Sequence, residues 1–415
     1  MTAINISTPH PNSLSFVRSK IYGNELSLPQ MEEIIFDITN KKYSNVQISA
    51  FITACASNAL NQNEILNLTK AMLNVSHKIT WNKDIIVDKH CIGGVPGNRT
   101  TPIIVAIVTA FGLIMPKTSS RAITSPAGTA DTMEAVTSVE FDIKKMTEIV
   151  TQENGCIVWG GAVSLSPADD ILIHIERELN LDGEGQMVAS ILSKKIAAGS
   201  NRIVIDIPIG KTAKIRNLET ANIVKNHLIE VGKNLSVLVK VIFNDGSQPV
   251  GNGIGPALEA RDLVMVLQNH PNAPKDLREH SLILAGEILE FSPDVKKGDG
   301  KILAEEILNS GKAWKKFQAI CVAQGGMRKI PQAKYQQKCL ASKDGIISAI
   351  DNRRIAGLAK LAGAPLIKSA GIDLHFKVAN AVKKDDVLFT IHSDSKEMLE
   401  LAFNYFMQNS DLIEF

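Results

Sequence analysis

Residues 88–102 read DKHCIGGVPGNRTTP and lie between the apolar runs IIV (85–87) and IIVAIVTAFG (103–112). A turn needs one or two glycines, whereas here Gly93, Gly94 and Gly97 accompany Pro96 and stand beside Asp88, Lys89, His90 and Cys91. A short β-rich run, a slack polar loop and a longer apolar segment predict strand, loop and helix in succession. The same grammar recurs through DIIVD, TPIIVAIVTAF, GLIMPKT, AGTADTMEAV, IKKMTEIVTQEN and GCIVWGG. Such alternation predicts a mostly parallel α/β sheet whose ligands sit outside the carboxyl ends of its strands.

Outward from this centre the pattern changes. From Ser13 to about Ser76 it is helical, with Ile48, Phe51, Ile52 and Cys55 at three- and four-residue steps. Ser27 with Pro29, and Asn61 with Glu64, mark helix starts, the second with the spacing of a capping box. A second helical piece, about 167–198, interrupts the α/β pattern, which resumes at RIVIDIPIG (202–210) and LSVLVKVIF (235–243). After about residue 331 the texture becomes one of Gly-punctuated strands such as DGIISAI and DVLFTIH. The expected fold class is α/β, in three parts. A small, discontinuous all-helical domain takes residues 1–76 and 167–200, and a large α/β phosphate-binding domain with a mostly parallel sheet takes 77–166 and 201–330. A C-terminal α+β barrel-like subdomain takes 331–415, and the substrate cleft is expected between the first two parts.

Bulk composition excludes several classes. At 415 residues the chain exceeds one ordinary core, and 45% hydrophobic with 21% charged residues is a normal globular mixture. A net charge of +2 gives no electrostatic case for nucleic acid or an anionic membrane, so a bound anion must be held locally. No apolar run reaches the length of a spanning helix, and MTAINISTPHPNS lacks the features of a cleaved signal. The five cysteines, Cys55, Cys91, Cys156, Cys321 and Cys339, are scattered without CxxC spacing. They predict a reduced cytoplasmic protein without a cysteine-based zinc site.

The 88–102 loop has the chemistry of an anion cradle. Its glycines let backbone N–H groups converge, Lys89 supplies a point charge, and Thr100 or Thr101 opens a helix whose N-terminus favours anions. The loop matches neither GxxxxGK[ST] nor GxGxxG, so a triphosphate or dinucleotide is not indicated. KTSSRAITSPAGTADTME (117–134) repeats the logic, placing Ser119, Ser120, Arg121, Thr124, Ser125 and Thr129 between another strand and helix. In the helical insert, Ser190 and Lys194 are four residues apart on one helix face, downstream of Arg177 and Asp182. Taken alone, a solvated helix face and a turn before Gly183 are the more usual reading of these residues. His90, beside an anion site, is a candidate for acid catalysis.

DKHCIGGVPGNRTT, KTSSRAITSPAGTAD, ASILSKK, IDIPIGKTAK and DGSQPVGNGIGPALEARD together resemble the thymidine/pyrimidine-nucleoside phosphorylase family. The likeness is greatest to the branch containing AMP phosphorylase and the type 2 thymidine phosphorylases. The resemblance implies phosphorolysis of an N-glycosidic bond by orthophosphate, a small helical and a large α/β domain, and a homodimer. It implies no cofactor and no metal, orthophosphate being a co-substrate. By this resemblance the phosphate site of the nucleoside enzymes falls on Lys89, Cys91, Thr101, Ser119 and Thr129. Their base-binding group falls on His90, Arg177, Ser190 and Lys194. The AMP-cleaving branch implies ligand contacts at Gly94, Ser120, Arg121, Ala122, Ile123, Thr124, Ser125, Thr129, Ser190 and Lys214, with Asp182 as proton donor.

Three departures stand out. Cys91 replaces a serine, VPGNRTT is one residue longer than the nucleoside enzymes' loop and adds Arg99, and the AMP-cleaving branch's extra N-terminal domain is expected to be missing. Protonation of the leaving base is assigned to Asp182 for a purine nucleotide. For a pyrimidine, His90, Arg177 and Lys194 stabilise the departing anion. The leading expectation is a nucleoside phosphorylase, with a nucleoside monophosphate phosphorylase as the alternative, in which Lys214, Arg99 or Lys117 holds a 5′-phosphate. An anthranilate-type phosphoribosyltransferase ranks third, and a carrier module built on the 341–393 tail ranks last.

Overall fold

The apolar runs flanking the glycine loop lead into a strand and a buried helix of the α/β part. The computed structural model describes residues 12–56, 59–97, 99–122, 125–179, 181 and 183–415, with the side chain of Arg177 also outside the description. Five strands carry the α/β part: β1 (Val87–Cys91), β2 (Met115–Ser119), β3 (Gly155–Trp159), β4 (Arg202–Ile209) and β5 (Leu238–Asp245). Strands β2 and β3 pair in parallel from Met115 opposite Gly155 to Ser119 opposite Trp159. Strands β1, β4 and β5 follow in the order β1-β4-β5, and the Val87 N–H donates to the Ile114 carbonyl to join β1 to the segment before β2. The bonds Leu238 N–H to Asn201 O and Gly246 N–H to Ile209 O sit at corresponding ends of β4 and β5, which makes that pair parallel as well.

Strand β1 begins three residues later than the run DIIVD and includes the polar motif itself. Pairing continues as far as Ile92, whose N–H reaches the Asp206 carbonyl at 2.8 Å. Asp88 and Lys89 are therefore inside the sheet and buried, where only charge pairing makes them tolerable. The helix Thr100–Phe111 that follows is apolar all round, and every residue from Thr100 to Thr109 is buried, as a central helix covered on all sides requires.

The chain forms two compact units. One comprises Met1–Ile86, Ser164–Ile203 and Asn222–Lys240, the other Val87–Val163, Val204–Ala221 and Val241–Phe415. The first is built on the helices Ser13–Ile21, Leu28–Thr39, Asn45–Cys55 and Gln62–Asn74, joined by Pro167–Leu179 and Glu184–Ala197. Ser27 caps Leu28–Thr39 with Pro29 in its first turn, and Asn61 and Glu64 exchange the two bonds of a capping box. Glu64 also receives both contacts from buried Lys20, at 2.7 and 2.8 Å. Asn222–Lys240, which the sequence pattern assigns to the α/β domain, groups with this helical unit, where His227 contacts Gln62.

In the second unit the C-terminal region forms an antiparallel four-stranded sheet. Its order is Gly253–Ile254, Gly371–Leu374, Val387–Ser393 and Tyr335–Leu340, so one strand is contributed from before residue 331. Its core joins Ile355, Leu358, Ile372, Phe389, Ile391 and Phe406 with Ile254 and with Val95 of the glycine loop. Among the described residues no helix is long and apolar enough to cross a membrane.

Candidate active site

Strands β1 and β2 end at Cys91 and Ser119, so the glycine loop and the hydroxyl-rich loop both leave carboxyl ends of the sheet. The two loops adjoin: a Cβ placed on Gly94 would lie 3.6 Å from the Ser125 Cβ, an ordinary contact. Gly97 is required by proximity, since a Cβ there would stand 2.7 Å from Cys91 Sγ and 3.1 Å from Asp206 Oδ2.

Lys89 is fully buried, its Nζ donating to Thr100 Oγ1 at 2.8 Å and lying 3.5 Å from Asp206 Oδ2. Thr100 in turn donates to the Gly97 carbonyl at 2.9 Å, which ties the lysine to the loop and to the start of the helix. Asp206 is a hub: His280 Nε2 lies 3.1 Å from its Oδ2 and Asn244 Nδ2 donates to its Oδ1 at 2.6 Å. Burial by itself would raise the Asp206 carboxyl, but Lys89, His280 and Asn244 together hold it below the ordinary carboxylate range. Burial, with Asp206 alongside, pushes the Cys91 thiol well up, so Cys91 faces the loop as a neutral S–H and a weak donor.

On the second loop, Ser119 Oγ is buried and makes no hydrogen bond. A buried hydroxyl without a partner costs roughly 1–3 kcal/mol, which a bound anion would relieve. Thr129 opens the helix Thr129–Glu134, while Ser125 donates internally to the Ala127 carbonyl at 2.8 Å. Arg121 is engaged with carboxylates: its guanidinium makes two 2.9 Å bonds to Glu134, one of 2.6 Å to Glu140, and stacks over Trp159. Ser120 and Ala122 contribute backbone, the Ser120 carbonyl accepting from Ala130 N–H and the Ala122 N–H donating to Asp131.

The remaining candidates fall as follows. His90 is in β1, and Thr101 is buried in the first turn of Thr100–Phe111. Lys214 is exposed after β4 in the same unit. Ser190 and Lys194 lie on Glu184–Ala197 in the helical unit, where Lys194 Nζ is 2.6 Å from buried Asp169. Asp182, Ile123, Thr124 and the Arg177 side chain lie outside the described residues. Two proposed 5′-phosphate cations are committed inside the fold. Arg99 is buried against the Gly253 carbonyl and Glu259, and Lys117 is 3.4 Å from Asp88 and donates to the Thr118 carbonyl.

Asp206, His280 and Asn244 escaped the sequence reading. Asp206 had a signal, a lone charge in the otherwise apolar strand RIVIDIPIG, where an acid must find partners. His280 had none, because its neighbours come from 74 residues away.

The comparisons with known proteins converge on this architecture. Residues 83–314 match the glycosyl transferase family a/b domain, and 14–76 match that family's helical bundle domain. Residues 346–412 match the pyrimidine nucleoside phosphorylase C-terminal domain. The chain is 57% identical over 411 residues to a Legionella pneumophila (strain Corby) protein named "Putative thymidine phosphorylase", covering 99% of this chain and 80% of that protein. It is 51% identical over 411 residues to a protein of the same name from Polaromonas sp. (strain JS666 / ATCC BAA-500), covering 98% and 80%. The fold is also that of anthranilate phosphoribosyltransferase from Thermus thermophilus, with a TM-score of 0.61, 18% identity, and coverage of 74% of this chain and 99% of that one. The chain belongs to the glycosyl transferase family defined by these helical bundle and a/b domains. Within it the chain is a pentosyltransferase of the pyrimidine nucleoside phosphorylase type.

Proposed function

We propose that the protein catalyses phosphorolysis of a nucleoside, orthophosphate attacking the anomeric carbon to give a free base and a (deoxy)ribose 1-phosphate. The observation that carries this reading is the buried, unbonded Ser119 hydroxyl at the end of β2, in the same unit as buried Lys89 and the glycine loop. An anion would supply the acceptor that the Ser119 hydroxyl lacks and a counter-charge for the helix N-terminus at Thr100. The names of relatives above half identity point to the same substrates.

Phosphate needs little activation as a nucleophile, so the demanding step is departure of the base as an anion. Protonating it, or stabilising its charge, is worth about 10² to 10⁴ in rate. His90, Arg177 and Lys194 take that part for a pyrimidine, and Asp182 takes it for a purine nucleotide. Loops that exclude water favour transfer to phosphate over hydrolysis. The reaction requires no cofactor.

The test is base release from thymidine, uridine, AMP, CMP and UMP, each with and without orthophosphate. Phosphate-dependent release from thymidine or uridine supports the nucleoside reading. Preference for AMP or CMP over their nucleosides assigns a nucleotide substrate and brings in Lys214 as the 5′-phosphate cation. Release that ignores phosphate would sink phosphorolysis altogether. An Asp182→Asn variant with undiminished turnover on every substrate removes Asp182 from the acid role.

A further inference from the structure

Asp131 makes more hydrogen bonds than a helix cap requires. It is the third residue of Thr129–Glu134, and its Oδ2 accepts the Gly128 N–H at 3.0 Å, the usual return bond of a capping box. The same buried oxygen also accepts the Ala122 N–H at 2.6 Å, from nine residues upstream, which no cap needs. Its Oδ1 lies 3.4 Å from Lys368 Nζ and 3.7 Å from Arg121 Nη1. Lys368, from the C-terminal region, is further held by Glu134 Oε2 at 2.6 Å.

The backbone is closely packed at this point. A Cβ on Gly128 would stand 2.4 Å from the Ser120 carbonyl oxygen, and Ala130 N–H donates to that same carbonyl at 3.3 Å. The chain leaving β2 and the chain entering the next helix are therefore pressed together, with Ser119 on one side of the neck and Thr129 on the other.

We propose that Asp131 is a positioning residue for the phosphate site: it ties Ala122 to Gly128 and so fixes Ser119 and Thr129 relative to one another. This rests on the phosphorolysis reading. A carboxylate so near an anion site would by itself repel the anion. Lys368 and Arg121 offset that charge, so the carboxylate organises backbone donors without opposing the ligand. The C-terminal region thus reaches the substrate loop through one cation.

The experiment uses the full chain as Asp131→Ala, Asp131→Asn and Lys368→Met, with two readouts. Amide hydrogen exchange is followed at Ala122, Gly128 and along β3, and base release is followed as inorganic phosphate is varied. In Asp131→Ala, exchange at Ala122 and Gly128 is expected to quicken by about tenfold or more, as loss of a charge-assisted bond implies. Exchange along β3 stays as in the parent, and KM for phosphate rises about tenfold, on the same arithmetic, against little change in kcat. Asp131→Asn retains an oxygen for both N–H groups and restores the exchange pattern, whereas Lys368→Met leaves the carboxylate offset by the more distant Arg121 alone and raises KM for phosphate.

Should Asp131→Ala fail to fold, the Lys368→Met result decides, and an unaltered KM there overturns the proposal. So does unaltered exchange at Ala122 in a folded Asp131→Ala, or a fall in kcat without a KM change. A wild type that is idle with every substrate overturns the phosphorolysis reading and the proposal with it. An active wild type alongside unaltered exchange in Asp131→Ala overturns the proposal alone.

Discussion

Lys89 and Asp206 are both fully buried, and each would be intolerable without the other. The pair explains why so polar a glycine loop can follow a strand in the interior: its lysine is held by Thr100 and Asp206. Asp206→Asn removes the counter-charge from a buried ammonium and is expected to destabilise the fold by about 3–5 kcal/mol, measurable by urea unfolding at neutral pH. The sign of the pH dependence follows from the depressed Asp206 carboxyl. Its contribution is complete above its unfolded value, near pH 4, and is lost as pH falls through the lower folded value. Urea midpoints taken down the acid limb should therefore fall more steeply for the wild type than for Asp206→Asn. A wild type and variant with parallel acid limbs would show that Asp206 does not titrate with folding. The motif marks Lys89 as a candidate anion ligand, and the structure shows it buried against Thr100 and Asp206. Its buried partner was legible only as an anomaly in an apolar strand, and the Arg99 added to the loop turned out to be an internal ion pair with Glu259.

Elements were more legible than their contacts. Asn61 and Glu64 announced a helix start by spacing alone, because a capping box is closed within four residues and depends little on what lies outside. Asn61→Ala removes the acceptor for the Glu64 N–H and should cost about 1 kcal/mol in unfolding free energy, without altering base release. A larger loss would mean that the cap also holds Glu64 for its buried contact with Lys20. Strand β1 was misplaced by three residues because a run of Asp, Lys, His and Cys reads as loop chemistry. Partners on other segments, Lys117 and Asp206 among them, let it lie in the sheet as a strand.

At the scale of the whole molecule, the C-terminal region is part of the second unit's core. Its cluster takes in Val95 from the glycine loop and Ile254 from beyond β5, both nearly inaccessible to solvent. A chain ending at residue 331 is expected to expose that surface, bind a hydrophobic dye and lose phosphate-dependent base release. Retained turnover in the truncated chain would mean that the loop holds its shape without this support. The sequence by itself determined the helical and α/β alternation, the glycine and hydroxyl loops and the family, because periodicity, caps and loop chemistry are local properties of the chain. The tertiary structure alone decided that Asp206 and His280 stand behind Lys89, that Arg121 faces Glu134, and that Asp131 and Lys368 brace the second loop. Those pairings join residues as far as 237 positions apart. A buried charge is tolerated only where the fold delivers its partner, and no local pattern carries that information.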